Sequence, residues 1–239
     1  MSLLIRRYLV VFFLFSALPA VLSPALAQSK NRAPGFSDLA KEASILVMTP
    51  DVELYSISAG GVIEPKADWT ESAQRHLQAS LQTRMTGSQL KVQFLPEEDG
   101  DAFAEISALH AAVAQSIALH HLSGGNLKLP TKNDQMDWSL GDAVTPIRQK
   151  HGADYALFVW FRDSYASSER KAAMFAMALL GIGISGGIQV GYASLVDLKN
   201  GQVLWFNRLL RGTGDLREQA PATETVNALL NDFPAVAAR

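Results

Sequence analysis

One serine lies in a glycine-rich stretch with the spacing of a hydrolase nucleophile. Gly183, Ser185 and Gly187 form the pattern G-x-S-x-G, which in α/β-hydrolases places the serine on a sharp turn between a strand and a helix. Here the residues after the turn predict a strand, which reverses that order. That fold also requires a histidine after the serine, and the last histidine is His151. A periplasmic serine hydrolase using Ser185 is therefore only an alternative function.

No other short motif predicts a reaction. Ser168 and Lys171 have the Ser-x-x-Lys spacing of β-lactam-binding enzymes, but the companion motifs Ser-Asp-Asn and Lys-Thr-Gly are absent. The acidic loop at residues 97 to 101 lacks the alternating ligands and distal glutamate of a calcium-binding hand. The sequence also lacks the Gly-Lys-Ser/Thr loop that cradles phosphates. We therefore expect no catalytic residue.

The five histidines do not have the spacing of a metal site. His110 and His121 return to nearly the same face of a predicted helix, but a rise of 1.5 Å per residue separates them by about 16 Å. That distance is too long for two ligands of one ion. The HExxH pattern of zinc proteases is absent. We expect no metal and no cofactor, and histidines near a helix end are better explained by its dipole.

The first 27 residues have the pattern of a secretory signal peptide. Arg6 and Arg7 precede an apolar stretch, and Ala25 to Ala27 provide small residues at a cleavage site. Cleavage between Ala27 and Gln28 would place the protein in the periplasm. The alternative is an uncleaved membrane anchor, although the apolar stretch is short for a span of about 20 residues.

Composition excludes several classes of function. The 239-residue chain has no cysteine, so disulfides, thiol catalysis and the lipid-modified cysteine of bacterial lipoproteins are excluded. Its formal net charge is −2, and no basic cluster points to nucleic acid. An exported chain without disulfides must be stabilised by its hydrophobic core.

Apolar runs and helical periodicity predict alternating strands and helices. After a polar lead-in at residues 28 to 43, we predict one α/β domain at residues 44 to 233 and a tail at 234 to 239. Asp68 or Thr70 is expected to cap the first helix. The predicted strands are 44 to 48, 91 to 95 and 155 to 161. The predicted helices are about 68 to 85, 101 to 122 (expected to be the longest), 141 to 151 and 223 to 232. Residues 163 to 171 are expected to be a polar insertion.

The strongest local signal is a hairpin centred on Asn200 and Gly201. These residues tolerate the positive φ angles of a type I′ turn, and runs rich in Val, Leu and aromatic residues flank them. An isolated hairpin is marginally stable, so it must join a larger sheet. The expected fold is α/β (α+β): one mixed β-sheet with helices packed on it, a C-terminal antiparallel hairpin and a closing helix.

This order of elements resembles a known periplasmic domain. ILVMTP at residues 45 to 50, GADYALFVWF at 152 to 161 and GYASLVDLKNGQVLWFNR at 191 to 208 carry the resemblance. The family comprises the curli-secretion-channel lipoprotein, the penicillin-binding-protein activators and the N-terminal domain of the Tol translocation protein. The hairpin from Ser194 to Trp205 is similar to theirs. The resemblance implies a non-catalytic envelope accessory protein, but the lipoprotein cysteine of many members is missing here.

Residues 172 to 190 form an unusual uncharged segment, with glycines concentrated in its second half. We favour a buried helix from Ala172 to Leu180, followed by a glycine turn and a strand. A second interpretation is an exposed apolar segment that docks on a partner or on a membrane surface. A transmembrane span is the third. On the second interpretation, the interaction surface is Met174, Phe175, Met177, Leu179 and Leu180, with Tyr165 at its rim.

Together these patterns predict an exported accessory, assembly or scaffold protein that acts by binding. The expected partner is an envelope protein, with membrane-surface contact and homo-oligomer formation as further alternatives. No nucleic-acid partner is expected. A soluble small-molecule binder is the remaining alternative class of function.

Overall fold

The computed structural model describes residues 30–87 and 90–237, so the predicted signal peptide lies outside the described residues. Seven strands are present in this part: β1 (Ser44–Val47), β2 (Asp51–Ile57), β3 (Ile63–Pro65), β4 (Lys91–Phe94), β5 (Tyr155–Ala166), β6 (Gln189–Asp197) and β7 (Val203–Arg211). The α-helices of the same part are α1 (Ala67–Thr86), α2 (Ala104–Ile117), α3 (Thr145–His151), α4 (Ser168–Ala178) and α5 (Gln219–Leu229).

The strands form one mixed sheet built around β5, which confirms the predicted fold class. β1 and then β2 run parallel to β5 along one of its edges. β6 pairs antiparallel with the other edge, and β7 continues the sheet beyond β6. β4 lies outside β1, and β3 lies outside β2. The long β5 thus connects the parallel half of the sheet to the C-terminal hairpin.

The apolar sequence of β5 follows from its position between two helical layers. Leu157, Val159 and Phe161 enter one core with α1 and α5. The alternate residues Phe158 and Trp160 enter the other core, where α2 and α3 pack. Because successive strand residues point to opposite faces, a strand covered on both faces is apolar throughout. The predicted strand at 155 to 161 is therefore confirmed.

α1 is the longest single α-helix of the described residues, whereas the predicted helix at 101 to 122 lies within a longer helical run, Glu97–Leu122, of mixed helix types. α1 has 20 residues and buries Ala73, Leu77 and Leu81. The predicted helix is divided: 3-10 turns precede α2, and a π-helical turn at Ala118–Leu122 follows it. The caps proposed for α1 are also wrong. Thr70 Oγ1 accepts a hydrogen bond from Leu54 N at 2.9 Å, and no side chain caps the helix.

Among the described residues, one continuous helical run is long and apolar enough to cross a membrane by length and composition, Glu97–Leu122. Ile106, Ala114 and Ile117 from this run are buried in the core beneath the sheet. A core helix passes the same test of length and hydropathy. These buried residues account for part of the apolar composition, while Leu109 and Leu119 of the same run are exposed.

Two strands were missed, and this changes the interpretation of residues 163 to 171. The sequence predicts that a strand ends at Pro50, whereas the structure forms β2, Asp51–Ile57, directly after this proline. β2 pairs with β5 from Trp160 through Ala166. The predicted polar insertion is therefore the end of a strand followed by the first turn of α4.

The hairpin is confirmed, but its turn type was predicted incorrectly. Only Gly201 of the central pair has a positive φ, at 74°, whereas type I′ requires two such residues. Gly201 N donates to Asp197 O at 2.8 Å, so the connection is longer than two residues. A Cβ on Gly201 would lie 2.1 Å from Gly141 O. Packing against that neighbouring segment requires the glycine.

The polar lead-in packs on the domain and does not extend away from it. Ala33 N donates to Leu204 O at 2.9 Å, and Leu39 is fully buried beside Val236 of the tail. The closing helix α5 is present but begins four residues before the predicted start at Thr223. Both terminal segments of the described chain therefore contribute to the folded unit.

Candidate docking surface

Ser185 lies in a turn that lacks the geometry of a nucleophile elbow. Helix α4 precedes the turn and strand β6 follows it, the reverse of the order in hydrolases. The hydroxyl of Ser185 donates to Gly187 O at 3.2 Å and accepts from Gly187 N at 3.3 Å. Each described histidine contacts another group (Leu216 O, Ser194, Leu127 O, Lys30 O and Asp99). The contacts of the described histidines are therefore with groups other than Ser185.

A serine–histidine pair does exist, but it lies inside the core. His110 Nε2 and Ser194 Oγ are 2.8 Å apart, and both residues are buried. The imidazole stacks on Phe158 with ring centroids 4.6 Å apart. Burial lowers the pKa of His110 to about 3, so the ring is neutral. The pair satisfies two polar groups between α2 and the sheet, and it is closed to a substrate.

The acidic loop is also structural. Asp99 is buried and pairs with Lys150, which ties the loop to α3. Within the described residues, no group of three or more His, Asp or Glu side chains is arranged to hold a metal ion.

The apolar segment forms a projecting feature that we call the arm, residues 168 to 187. Ser167 caps α4, since its Oγ accepts from Arg170 N at 3.2 Å. The helix then runs to Ala178 with no buried residue. Phe175 is 70% exposed, and Leu179 and Leu180 are each 73% exposed. The favoured interpretation of this segment as buried is therefore wrong, because no layer of the described domain covers α4.

The glycine-rich half of the arm returns along α4 to the sheet. A Cβ on Gly186 would lie 3.2 Å from Met174 Cε, so the returning chain packs closely on the helix. Gly187, with φ of 146°, lies so close to Ser164 that a Cβ there would be 1.8 Å from the Ser164 carbonyl oxygen. Glycine is required at this crossing because any side chain would collide with the β5 backbone.

Arg170 fastens the base of the arm to two other segments. Its Nε and Nη2 donate to Ser185 O at 3.0 and 2.8 Å, and its Nη1 donates to Ser58 O at 3.3 Å. One guanidinium thus joins α4, the returning chain and the loop between β2 and β3. The arm is fixed at its base, while its tip remains exposed.

Other exposed apolar residues lie at the same end of the sheet. Ile63 pairs with Ile57, which pairs with Ala166 at the end of β5, where the arm begins. Ile188 follows the arm, and Leu210 is opposite Val190 at the start of β6. We call the following set the docking end: Val62, Ile63, Phe175, Leu179, Leu180, Ile182, Ile188 and Leu210, each between 47% and 73% exposed. It contains most of the large exposed apolar residues of the described chain.

The predicted surface residues fall into two groups. Met174, Phe175, Met177, Leu179 and Leu180 all lie on the arm, with the two methionines half-buried. Tyr165 lies in β5, close to the point where the arm begins. Its hydroxyl donates to Asp163 Oδ2 at 2.6 Å and accepts from Leu216 N at 2.8 Å, while Arg217 stacks on its ring.

A buried polar network supports the base of the arm. Asp163 accepts hydrogen bonds from Tyr165 and from Gln189, and Arg211 donates to Gln189 Oε1 at 2.9 Å. Burial raises the pKa of Asp163 to about 6, even though these donors favour its charged form. The sequence predicts a polar insertion at residues 163 to 171, so this network was not anticipated. Asp163 and Ser164 are both polar, and no alternation of apolar and polar residues marks the continuing strand.

A separate cavity of about 250 Å³ opens at the other end of β5. It is lined by both cations and carboxylates, including Lys41, Glu42, Arg148, Asp154, Asp197 and Lys199. This mixture of charges defines no single class of ligand, so the small-molecule alternative gains no specific chemistry here.

Comparisons with known proteins give a few weak structural likenesses. No family model and no curated protein matches the chain. The solved structures that it resembles include the PelC dodecamer from Paraburkholderia phytofirmans, at 14% identity and a TM-score of 0.39, covering 84% of this chain and 96% of that one.

Two further neighbours are lipoprotein GNA1162 from Neisseria meningitidis and the LpoB C-terminal domain from Salmonella enterica. The first is 16% identical with a TM-score of 0.31, covering 80% of this chain and 97% of that one. The second is 12% identical with a TM-score of 0.30, covering 75% and 87%. These neighbours fit the loose resemblance to envelope lipoproteins drawn from the sequence. With TM-scores below 0.5, they establish neither a family nor a function.

Proposed function

We propose that this chain is an exported, non-catalytic accessory protein of the bacterial envelope. It works by docking through its arm onto envelope membranes, where its protein partners reside. The observation that carries this proposal is the arm itself, a helix that supplies nothing to the core and exposes Phe175, Leu179 and Leu180.

Folding gives no reason for this exposure, whereas binding does. Fully burying a Leu or Phe side chain is favourable by about 1.5–3 kcal/mol, and the described domain leaves three such side chains mostly in water. Exposed apolar patches of this kind mark interaction sites. Met174 and Met177 add flexible side chains that adapt to the shape of a partner.

The remaining polar groups support a binding role over a catalytic one. Ser185 interacts with its own turn, and the His110–Ser194 pair is buried in the core. Export rests on the signal-peptide pattern of residues 1–27, which lies outside the described residues. A binding protein in the periplasm or at a membrane surface needs no more chemistry than the arm provides.

The test compares the membrane association of the unmodified chain with that of two variants. All of the proteins compared begin at Gln28, so that the apolar signal residues cannot contribute. The described buried core begins at Ala33, so this start retains it. In one variant a Gly-Ser linker replaces residues 172 to 184. We expect the unmodified chain to co-sediment with bacterial envelope membranes and the linker variant to stay in solution. The Ser185→Ala variant should sediment like the unmodified chain. Equal sedimentation of the linker variant would contradict the proposal.

A further inference from the structure

We infer that the docking end enters the interfacial region of a lipid bilayer, with little dependence on the charge of the lipid headgroups. This inference rests on the proposed function and specifies what the arm contacts. A protein partner at the same surface is the competing outcome.

The apolar character of the tip of the arm, residues 172 to 184, favours a lipid bilayer over a protein as its binding partner. From Ala172 through Ile184 the arm has no polar side chain, and no charged residue occurs before Asp197. Protein interfaces carry about one hydrogen bond per 100–200 Å², and this tip offers no side chain for such bonds. A bilayer requires none. The apolar side chains of the tip are also exposed, with Leu179 and Leu180 each at 73%, and exposed apolar faces can be buried at the boundary between headgroups and acyl chains.

The backbone hydrogen bonding of α4 continues past the last helical residue. Leu179 N donates to Phe175 O, Leu180 N and Ile182 N both donate to Met177 O, and Gly181 N donates to Ala178 O. Backbone groups that enter lipid must be satisfied internally, because no water is available there. The part of the arm around Leu179 and Leu180 meets this requirement, whereas the chain after Ile182 is irregular.

Exposed apolar residues also lie around the arm. Val62 lies in the loop that Arg170 ties to the base of α4, and Ile63 begins β3 directly after it. Their exposure at 61% and 60% extends the apolar surface beyond the arm. Ile188 and Leu210 extend it on the other side of β5. Insertion would therefore involve one end of the sheet, with the arm entering first.

The charges beside the docking end nearly balance. Arg170 and Lys171 follow Glu169 at the start of α4, which leaves one excess positive charge there. Lys66 lies 3.4 Å from Glu64, and Arg211, next to Leu210, lies 2.6 Å from Glu224. Anionic lipids attract clusters of Lys and Arg, and no such cluster is present on these elements. Binding driven by apolar insertion is also weakly affected by salt, because screening acts on charges.

The experiment is vesicle flotation of the chain that begins at Gln28. One set of vesicles contains phosphatidylcholine alone, and the other contains phosphatidylethanolamine with phosphatidylglycerol. We expect flotation with both, at low and at high salt. Leu179→Gln combined with Leu180→Gln should lower the partition coefficient at least about tenfold. The matched control combines Leu119→Gln with Leu127→Gln, two exposed leucines outside the docking end at 46% and 47%. It should float like the unmodified chain.

A Phe175→Trp variant reports insertion directly. Its fluorescence should shift to the blue on vesicles and be quenched by brominated acyl chains. Absence of this quenching, or equal flotation of the Leu179/Leu180 variant, would overturn the inference.

Native membranes separate the two proposals. If the chain binds envelope membranes, loses that binding after they are treated with protease, and fails to bind pure lipid, the partner is a protein. The proposed function then stands and the lipid inference is wrong. Binding to neither membranes nor vesicles overturns both proposals. If the arm substitutions instead change the oligomeric mass in solution without vesicles, the surface is occupied by a second copy and the lipid inference is also wrong.

Discussion

Two buried ionisable residues make opposite contributions to the pH dependence of stability. Burial lowers the pKa of His110 to about 3, far below its ordinary value near 6.5. Below pH 6.5 the unfolded chain therefore binds a proton that the native chain does not, and stability is lost. Asp163 has the opposite effect on the change of stability with pH. Its native pKa of about 6 lies above its value in the unfolded chain, so the native chain takes up a proton first and gains stability as pH falls toward 4.

Urea unfolding at pH 7 and pH 5 separates these contributions. Since one pKa unit corresponds to about 1.4 kcal/mol, His110 should lose about 2 kcal/mol over this interval and Asp163 should gain about 1 kcal/mol. The His110→Gln variant should therefore become more stable toward pH 5, relative to the unmodified chain. Asp163→Asn should become less stable on the same comparison. The same pH dependence in all three proteins would refute the assignment.

Two glycines should differ in how strongly their substitution by alanine destabilises the fold. Gly201 has a φ of 74°, and a Cβ there would lie 2.1 Å from Gly141 O. Gly183 has open space around it and no positive φ. We expect Gly201→Ala to reduce the free energy of unfolding by more than about 1 kcal/mol and Gly183→Ala to change it by less than about 0.5 kcal/mol. Thermal or urea denaturation measures both. Equal effects would show that the turn does not pack on its neighbour as described.

Sequence reasoning at the residue level identified Asn200-Gly201 as a hairpin but could not determine its geometry. Local preference favours type I′, whereas the turn seen here is determined by residues 138 to 141, which are remote in sequence and pack on Gly201. The pairing of His110 with Ser194 was equally inaccessible. The two residues are 84 positions apart, and no local pattern connects them.

Individual elements were predicted where one signal dominated. The run at 155 to 161 predicted a strand because every residue is apolar, and the structure covers that strand on both faces. β2 alternates instead, with Val52 and Leu54 buried and Glu53 and Tyr55 half-buried. This alternation is visible in the sequence. It was not interpreted as a strand because Pro50 predicts the end of the strand region. β1 ends at Val47, and the chain re-enters the sheet at Asp51, directly after Pro50.

The arm shows why burial is harder to predict than secondary structure. Helix followed by a glycine turn was predicted for this segment, with the helix ending near Leu180, and α4 ends at Ala178. Composition specifies that such a helix is apolar. It does not specify whether another layer of the fold covers it, because that depends on how α1 and α5 occupy the nearby face of the sheet.

Removal of the arm should leave the domain stable. α4 buries no residue, so replacing residues 172 to 184 with a Gly-Ser linker should change the free energy of unfolding by no more than about 1 kcal/mol. Far-UV circular dichroism and urea denaturation measure this change. The matched control is Phe158→Ala in the core, where the side chain is buried. It should cost about 3–5 kcal/mol. A comparable loss for the linker variant would show that the arm belongs to the core.

On the scale of the whole molecule, the sheet separates two distinct ends. The arm and the docking end lie where β5 finishes, while the cavity with mixed charges lies near Tyr155, where β5 begins. The signal-peptide pattern predicts export, so we expect both ends of the sheet to lie in the periplasm.

We expect the exported protein to begin at Gln28, and N-terminal sequencing or intact mass of the protein recovered from the periplasm measures this. A retained residue 1 would favour the uncleaved anchor.

Hydrogen exchange of the chain beginning at Gln28, with and without envelope membranes, tests the central claim most directly. The account predicts that membranes slow exchange in peptides from residues 172 to 184, with a smaller effect near Val62 and Ile63. Exchange in α2 should remain unchanged. Unaltered exchange in the arm, or protection confined to α2, would contradict the claim that this protein works by docking through its arm.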